Sequence, residues 1–140
     1  MKRYIHEVLT ECVKKRAKAD KIKVLQDNDS WALRDVLRGA MDSTVQWDLP
    51  PGAPPYTPNK PESVPSNLLK ENVKFKYFIK NGPGKDLMNV KREKIFIGLL
   101  ESIHPEDAKL VIKVIQKETP LVKGLTRPVV EEAFPGLLKD

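Results

Sequence analysis

A proline-rich stretch in the first half of the chain limits what the sequence can fold into more than any other feature. Residues 43–66 hold seven of the chain's twelve prolines, at positions 50, 51, 54, 55, 58, 61 and 65. Proline lacks the backbone N–H that a helix interior or an inner strand needs, so neither a long helix nor a central strand can form there. The stretch therefore predicts a long extended crossover between an N-terminal and a C-terminal group of elements.

The segment before the crossover, residues 1–42, has the periodicity of three short helices. Apolar residues recur at helical spacing over residues 2–16 and predict an amphipathic helix there, and a second helix is expected over residues 18–27. Asp29 is the expected N-cap of a third helix, whose apolar stripe ends at Met41.

The segment after the crossover, residues 67–140, predicts several further short helices. Residues 67–80 favour a helix, although the alternation of apolar residues and lysines in their second half also fits a strand. Helices are also expected from Asn89, from Pro105 and from Thr126. Together the two segments predict a mainly α-helical protein, a single compact domain of six or seven short helices in which the crossover is an ordered loop.

Positive charge is concentrated in two blocks of the sequence. The net charge of +6 divides into +5 over residues 1–24, −3 over 25–59, +5 over 60–94 and −1 over 95–140. If the two basic blocks meet in space they form a face suited to polyanions, whereas lysine-rich helices that only keep the protein soluble are the alternative. Phosphates would bind the basic side chains, and a base would stack on Tyr77. The candidate nucleic-acid-binding residues are Lys14, Lys15, Arg16, Lys18, Lys74, Lys76, Tyr77, Lys80, Lys91 and Arg92.

No motif in the sequence supplies catalytic, metal or cofactor chemistry. The His and Cys residues are His6, Cys12 and His104, and their spacing is not that of a zinc site. The pair Gly84–Lys85 resembles the end of a phosphate-binding loop, but the first glycine of that motif is missing. We therefore expect no catalytic residues, no metal site and no cofactor, and a protein that is not an enzyme.

Neither a secretory signal nor a membrane span is predicted. The longest apolar stretches fall far below the roughly 20 residues that a membrane helix needs. Glu7 and Glu11 interrupt any apolar run behind the positive N-terminus, and the lone Cys12 fits a reducing compartment. These features predict an intracellular protein without a membrane partner.

Apolar residues within the crossover predict that it packs against the body of the domain, because a free linker would carry Gly, Ser and charge instead. Its prolines also match the PxxP spacing of polyproline II ligands. Aromatic anchors contribute much of the binding energy at protein interfaces, so the crossover is a candidate interface as well. The candidate interface residues are Trp47, Leu49, Pro54, Pro55 and Tyr56.

Four segments of the sequence resemble one known family. They are DNDSWALRDVLRGAMD (residues 27–42), LPPGAPPYTP (49–58), REKIFIGLLESIHPEDAKL (92–110) and KGLTRPVVEEAFPGL (123–137). In these motifs the chain is similar to small uncharacterised proteins encoded by T-even-type myoviruses, especially marine cyanophages. The resemblance spans most of the chain and implies a phage protein that acts in the host cytoplasm or is built into the virion. It implies no catalytic residues.

Three functions are consistent with these features. The first is a non-enzymatic phage accessory protein that binds DNA, RNA or a nucleic-acid-processing enzyme during phage replication, recombination or transcription. The second is a structural protein of the virion, such as a neck, tail or capsid component, and the third is an inhibitor of a host protein that acts through the crossover. The two basic blocks and the lack of active-site chemistry favour the first.

Overall fold

Seven α-helices and one 3₁₀ helix make up the regular structure of the residues that the structure describes. It is a computed structural model, and it describes residues 4–50, 52–60, 66–80 and 82–138. The elements are α1 (Ile5–Lys14), α2 (Lys18–Asp27), α3 (Trp31–Met41), α4 (Leu68–Glu71), the 3₁₀ helix (Asn72–Phe78), α5 (Asn89–Ser102), α6 (Pro105–Ile115) and α7 (Arg127–Ala133). With one shared hydrophobic core and no strand in these parts of the chain, the prediction of a mainly α-helical single domain is confirmed.

The first two helices lie where the periodicity places them. The helix predicted over residues 2–16 is observed as α1, which ends where Lys15 turns to extended backbone, with φ −73° and ψ 145°. Residues 2 and 3 lie outside the described residues. The second helix has the predicted bounds, and its apolar side chains Val24 and Leu25 are buried.

The cap of α3 differs from the prediction. Ser30, not Asp29, is the N-cap residue, and its Oγ accepts a hydrogen bond of 3.0 Å from the backbone N–H of Leu33. Asp29 instead accepts two hydrogen bonds from the guanidinium of Arg34, at 2.8 and 2.9 Å. Adjacent Asp and Ser are both good caps, and here the hydroxyl takes that role while the carboxylate forms the ion pair.

The core is organised around α3. Leu33, Val36 and Leu37 on this helix are fully buried, and α3 packs against α4, the 3₁₀ helix and α6. In turn α6 contacts α1 and α5, while α2 lies against α1 and α7. None of the described helices has both the length and the apolar character of a bilayer-spanning segment.

The segment predicted as helix or strand is helical, and half of its residues form a 3₁₀ helix. After the single turn of α4, residues 72–78 continue with three residues per turn, so side chains three positions apart lie above one another. Asn72, Phe75 and Phe78 form the buried row. The alternation of apolar residues does not match the observed burial, because Val73 is exposed and Phe78 is buried.

The crossover is fastened to the helices at both ends. At its start, the backbone N–H of Asp48 donates to the carbonyl of Phe78 at 2.6 Å, and that of Lys80 donates to the carbonyl of Gln46 at 2.9 Å. Further along, the N–H of Thr57 donates to the carboxylate of Glu101 on α5 at 2.7 Å. The described part of the crossover is thus an ordered loop, held by hydrogen bonds to neighbouring elements. Residues 51 and 61–65 of the crossover lie outside the described residues.

Candidate nucleic-acid interface

A depression of about 540 Å³ lies between the 3₁₀ helix and α5, and residues of the second basic block line it. Lys74 and Tyr77 are three positions apart, so the 3₁₀ geometry places both on one side of that helix. From the other side the walls are completed by Leu87 before α5 and by the α5 residues Lys91, Ile95 and Gly98. Three of the predicted nucleic-acid-binding residues, Lys74, Tyr77 and Lys91, are therefore brought together around one hollow.

Tyr77 is the aromatic residue of this depression, and its ring is partly exposed. The ammonium of Lys76 lies over the ring, 5.3 Å from its centroid, in a cation–π contact. The backbone of Gly84 packs directly against the backbone of Tyr77. A Cβ at Gly84 would overlap the carbonyl oxygen and Cα of Tyr77, so this contact requires glycine. Residues Gly82, Pro83 and Gly84 therefore form a tight turn that packs against Tyr77.

Arg92 lies in the interior, which corrects its prediction as a phosphate contact. Only 3% of its surface is exposed. Its guanidinium donates hydrogen bonds to the carbonyls of Gly84 at 2.8 Å and Leu87 at 3.1 Å, and to the side chain of Asn89 at 2.8 Å. The carboxylate of Asp48 lies 3.5 Å away. Because Arg92 holds the turn that supports Tyr77, it positions the depression and cannot contact a ligand there.

The charge of the depression comes from lysines on both of its walls. Lys76, Lys80 and Lys91 are exposed, whereas Lys74 forms an ion pair of 2.8 Å with Glu71. The hydrogen bond from Lys74 lowers the pKa of Glu71, and one from Ser66 adds to this effect against the opposing effect of burial. With Lys74 paired, Lys91 is the exposed lysine of the lining and Lys76 adds charge at the Tyr77 ring, whereas Lys80 is not among the lining residues.

The first basic block does not contribute to the lining of the Tyr77 depression. Lys14, Lys15 and Arg16 are exposed where α1 ends, and Lys18 forms an ion pair of 2.6 Å with Glu132 of α7. The helices of this block pack against α6 and α7, whereas the 3₁₀ helix packs against α3, α4 and α5. Helix α6 contacts both α1 and α5, so the blocks share one neighbour, but Lys74 and Lys91 of the second block line the Tyr77 depression and none of its lining residues belongs to the first block.

The crossover residues predicted as an interface are mostly turned toward the body. The indole N–H of Trp47 donates to the carbonyl of Gly39 at 3.1 Å, and its ring meets Phe75 edge to face, with centroids 6.2 Å apart. Leu49 and Tyr56 also pack against the core. Pro54 is half-buried, which leaves Pro55 as the exposed member of the predicted set.

A cluster of rings and a carboxylate that the sequence did not reveal joins α1 to α6. Asp107 has no exposed surface, and one of its oxygens accepts hydrogen bonds from the backbone N–H and the Nδ1 of His6, at 2.9 and 2.8 Å. The His6 ring lies against that of His104, with centroids 4.4 Å apart, and Tyr4 packs against both. His6 and Asp107 are far apart in the sequence, so local spacing carries no signal of this contact.

Cys12 lies in the hydrophobic core. Burial raises the pKa of its thiol, which favours the unreactive protonated form. Among the described residues, no three His, Cys, Asp or Glu side chains are placed to hold a metal ion.

Comparison with known proteins identifies a family for this chain. No curated protein matches its sequence. One family model, whose description is "Family of unknown function (DUF6433)", matches residues 8–120, which include the crossover and both walls of the Tyr77 depression. Because the match covers most of the 140 residues, the chain belongs to this family of unknown function, DUF6433.

Proposed function

We propose that this chain is a non-enzymatic accessory protein of phage replication, recombination or transcription that binds nucleic acid, and single strands in particular, at the Tyr77 depression. The observation that supports the proposal is the convergence of Lys74, Tyr77 and Lys91 on one hollow of about 540 Å³. The phage setting and the host cytoplasm follow from the resemblance of the four sequence segments.

The proposed interaction combines two physical terms. Lysines neutralise phosphates and release the counterions condensed on the nucleic acid, which makes affinity fall steeply with salt. A partly exposed Tyr77 ring offers a stacking surface, and every base has a face that can use it. A duplex hides its base faces, so a site of this kind favours single strands.

Titration of labelled single-stranded and double-stranded DNA, followed by fluorescence anisotropy at two salt concentrations, tests the proposal. We expect binding that favours the single strand and weakens as salt rises. Tyr77→Ala should weaken binding roughly 5- to 100-fold, from the loss of one stacked base. Tyr77→Phe is the matched control, because it keeps the ring and should bind nearly as the wild type does. A wild-type protein that binds neither DNA at low salt would overturn the proposal.

The alternatives of a virion component or an inhibitor of a host protein rest on the crossover. Trp47, Leu49 and Tyr56, the apolar anchors that such an interface would use, pack toward the core. Tyr77 is half-buried against the core as well, so the preference for nucleic-acid binding rests on the lysines beside Tyr77, which the crossover anchors lack. Detection of the chain by mass spectrometry in purified particles would instead favour the virion component.

A further inference from the structure

A second exposed aromatic residue stands at the start of α3. Trp31 has 76% of its surface exposed, although large apolar side chains are usually covered. It borders a groove of about 500 Å³ between α3 and the 3₁₀ helix, whose walls include Arg38, Val73 and Lys76. Because the following residues of α3 are in the core, the backbone that carries the Trp31 ring is held in place.

The Trp31 groove and the Tyr77 depression lie on opposite sides of one narrow ridge. The 3₁₀ helix forms the ridge, since Val73 and Lys76 make one of its outer rows and Lys74 and Tyr77 make the next. Lys76 links the two hollows, because it lines the groove while its ammonium lies over the Tyr77 ring. Two aromatic rings are thus arranged on either side of a basic residue.

We propose that a single strand of nucleic acid crosses this ridge, with one base stacked on Tyr77, another stacked on Trp31, and a phosphate between them bound by Lys76. This inference rests on the proposed function and extends it from one stacking position to a path with two. Alternation of aromatic platforms and cations along a groove is how proteins bind single strands without reading their sequence.

The charges around the Trp31 groove favour a polyanion as its occupant. Asp35 accepts a hydrogen bond of 2.8 Å from the amide of Asn72 and lies 3.6 Å from the guanidinium of Arg38. The carboxylate of Asp35 is therefore already used within the molecule. Lys76 is exposed and has no carboxylate within ion-pairing distance among the described residues, whereas the charge of Arg38 is partly offset by Asp35, so Lys76 is the cation of the groove that can face a phosphate.

The ring of Trp31 is itself in a basic setting. The guanidinium of Arg34 lies 5.9 Å from the centroid of the Trp31 ring and 4.9 Å from that of Phe134. Two hydrogen bonds to Asp29 fix its orientation. Most of the indole stays open beside this fixed guanidinium, whose charge is paired with Asp29, so Trp31 offers a stacking surface and the phosphate contact is left to Lys76.

Binding of oligothymidylates by the full-length protein tests the path, with one oligomer of about 4 nucleotides that occupies a single platform and one of about 16 that spans both. For the longer oligomer, Trp31→Ala should weaken binding roughly 5- to 100-fold, while the shorter one, held at Tyr77, should be affected much less. Trp31→Phe should recover part of the loss. Tryptophan emission should be quenched by the longer oligomer in the wild type and much less in Trp31→Ala.

The variants separate this inference from the proposed function. Loss of binding in Tyr77→Ala with unchanged binding of both oligomers in Trp31→Ala would overturn the path and leave the proposed function standing. Absence of binding by the wild type would overturn both.

A protein partner at the groove would give a different result. Val73 is 61% exposed beside Trp31, and it offers an apolar contact but no stacking surface. If Trp31→Ala and Val73→Ser both changed self-association in sedimentation experiments while DNA binding stayed the same, the groove would be a protein interface and the inference would be wrong.

Discussion

At the scale of single residues, the buried carboxylate of Asp107 should be especially sensitive to mutation. It satisfies the backbone N–H of His6 in the first turn of α1, a donor that the helix itself leaves without a partner. Asp107→Ala should lower the free energy of unfolding by about 1–3 kcal/mol, because that donor and the imidazole, both partly buried, would lose their acceptor. Urea denaturation followed by circular dichroism measures the change. The neighbouring Glu106→Ala is the control, since Glu106 is exposed, and a loss as large as that of Asp107→Ala would contradict this account.

Glu71 should make stability depend on pH in the acid range. Its folded-state pKa is held below the ordinary value of 4.5, first by the hydrogen bond from Lys74. A carboxylate with a depressed pKa contributes stability that is fully present above its unfolded pKa and is lost as the pH falls through its folded pKa. Glu71→Gln should therefore be less stable than the wild type at pH 7, and the difference should shrink below about pH 4.5. Urea midpoints at pH 7 and pH 3 test this, and a constant difference across that range would contradict it.

At the scale of secondary-structure elements, two helical glycines should respond to alanine in opposite ways. A Cβ added at Gly98 on α5 would meet no neighbouring element within 4 Å, so Gly98→Ala should stabilise the protein by about 1 kcal/mol through helix propensity. At Gly39 on α3 a Cβ would lie 2.5 Å from Cζ2 of Trp47 and 3.0 Å from Cγ1 of Val114. Gly39→Ala should therefore destabilise by about 1–3 kcal/mol through overpacking. Thermal unfolding measures both changes, and shifts of the same sign would contradict the packing described for Trp47.

The elements that the sequence predicts well are those set by local chemistry. The bounds of α2 and the start of α6 at Pro105 depend on periodicity and on a proline at the first helical position, and both are confirmed. The 3₁₀ helix at residues 72–78 is harder to predict, because three residues per turn lies between the periods of a strand and an α-helix. Its existence depends on burial of one row of side chains against neighbouring elements, which local sequence does not show.

For the candidate site, residue types could be predicted but their placement could not. Lys74, Tyr77 and Lys91 are candidates on charge and residue type alone, and the structure places them around one hollow. Lys91 and Arg92 are adjacent basic residues on α5. Lys91 faces solvent, whereas Arg92 points inward and holds the turn at Gly84. The large apolar side chain of Trp31 is mostly exposed, which its residue type does not predict. Each of these outcomes is decided by tertiary contacts between segments distant in the chain.

At the scale of the whole molecule, the two basic blocks carry equal net charge, but only the second contributes residues to the Tyr77 depression. The second block combines two lysines with a tyrosine in one hollow, so the two blocks should contribute unequally to nucleic-acid binding. A matched pair of variants, Lys91→Ala and Lys15→Ala, removes one exposed lysine from each block and changes the net charge by the same amount. The net charge changes equally in both variants, so a difference between them reports which of the two lysines lies close to the bound strand.

The salt dependence of single-strand binding distinguishes direct phosphate contact from the effect of net charge. Each phosphate contact contributes about 0.7 to the slope of log affinity against log salt for a single strand. Lys91→Ala should therefore reduce the magnitude of the slope by about 0.7, whereas Lys15→Ala should leave it unchanged and lower affinity only slightly at low salt. Anisotropy titrations at four or more salt concentrations give both slopes. Equal reductions would mean that a strand contacts both blocks, and a reduction in Lys15→Ala alone would move the interface to the surface of α1 and α2.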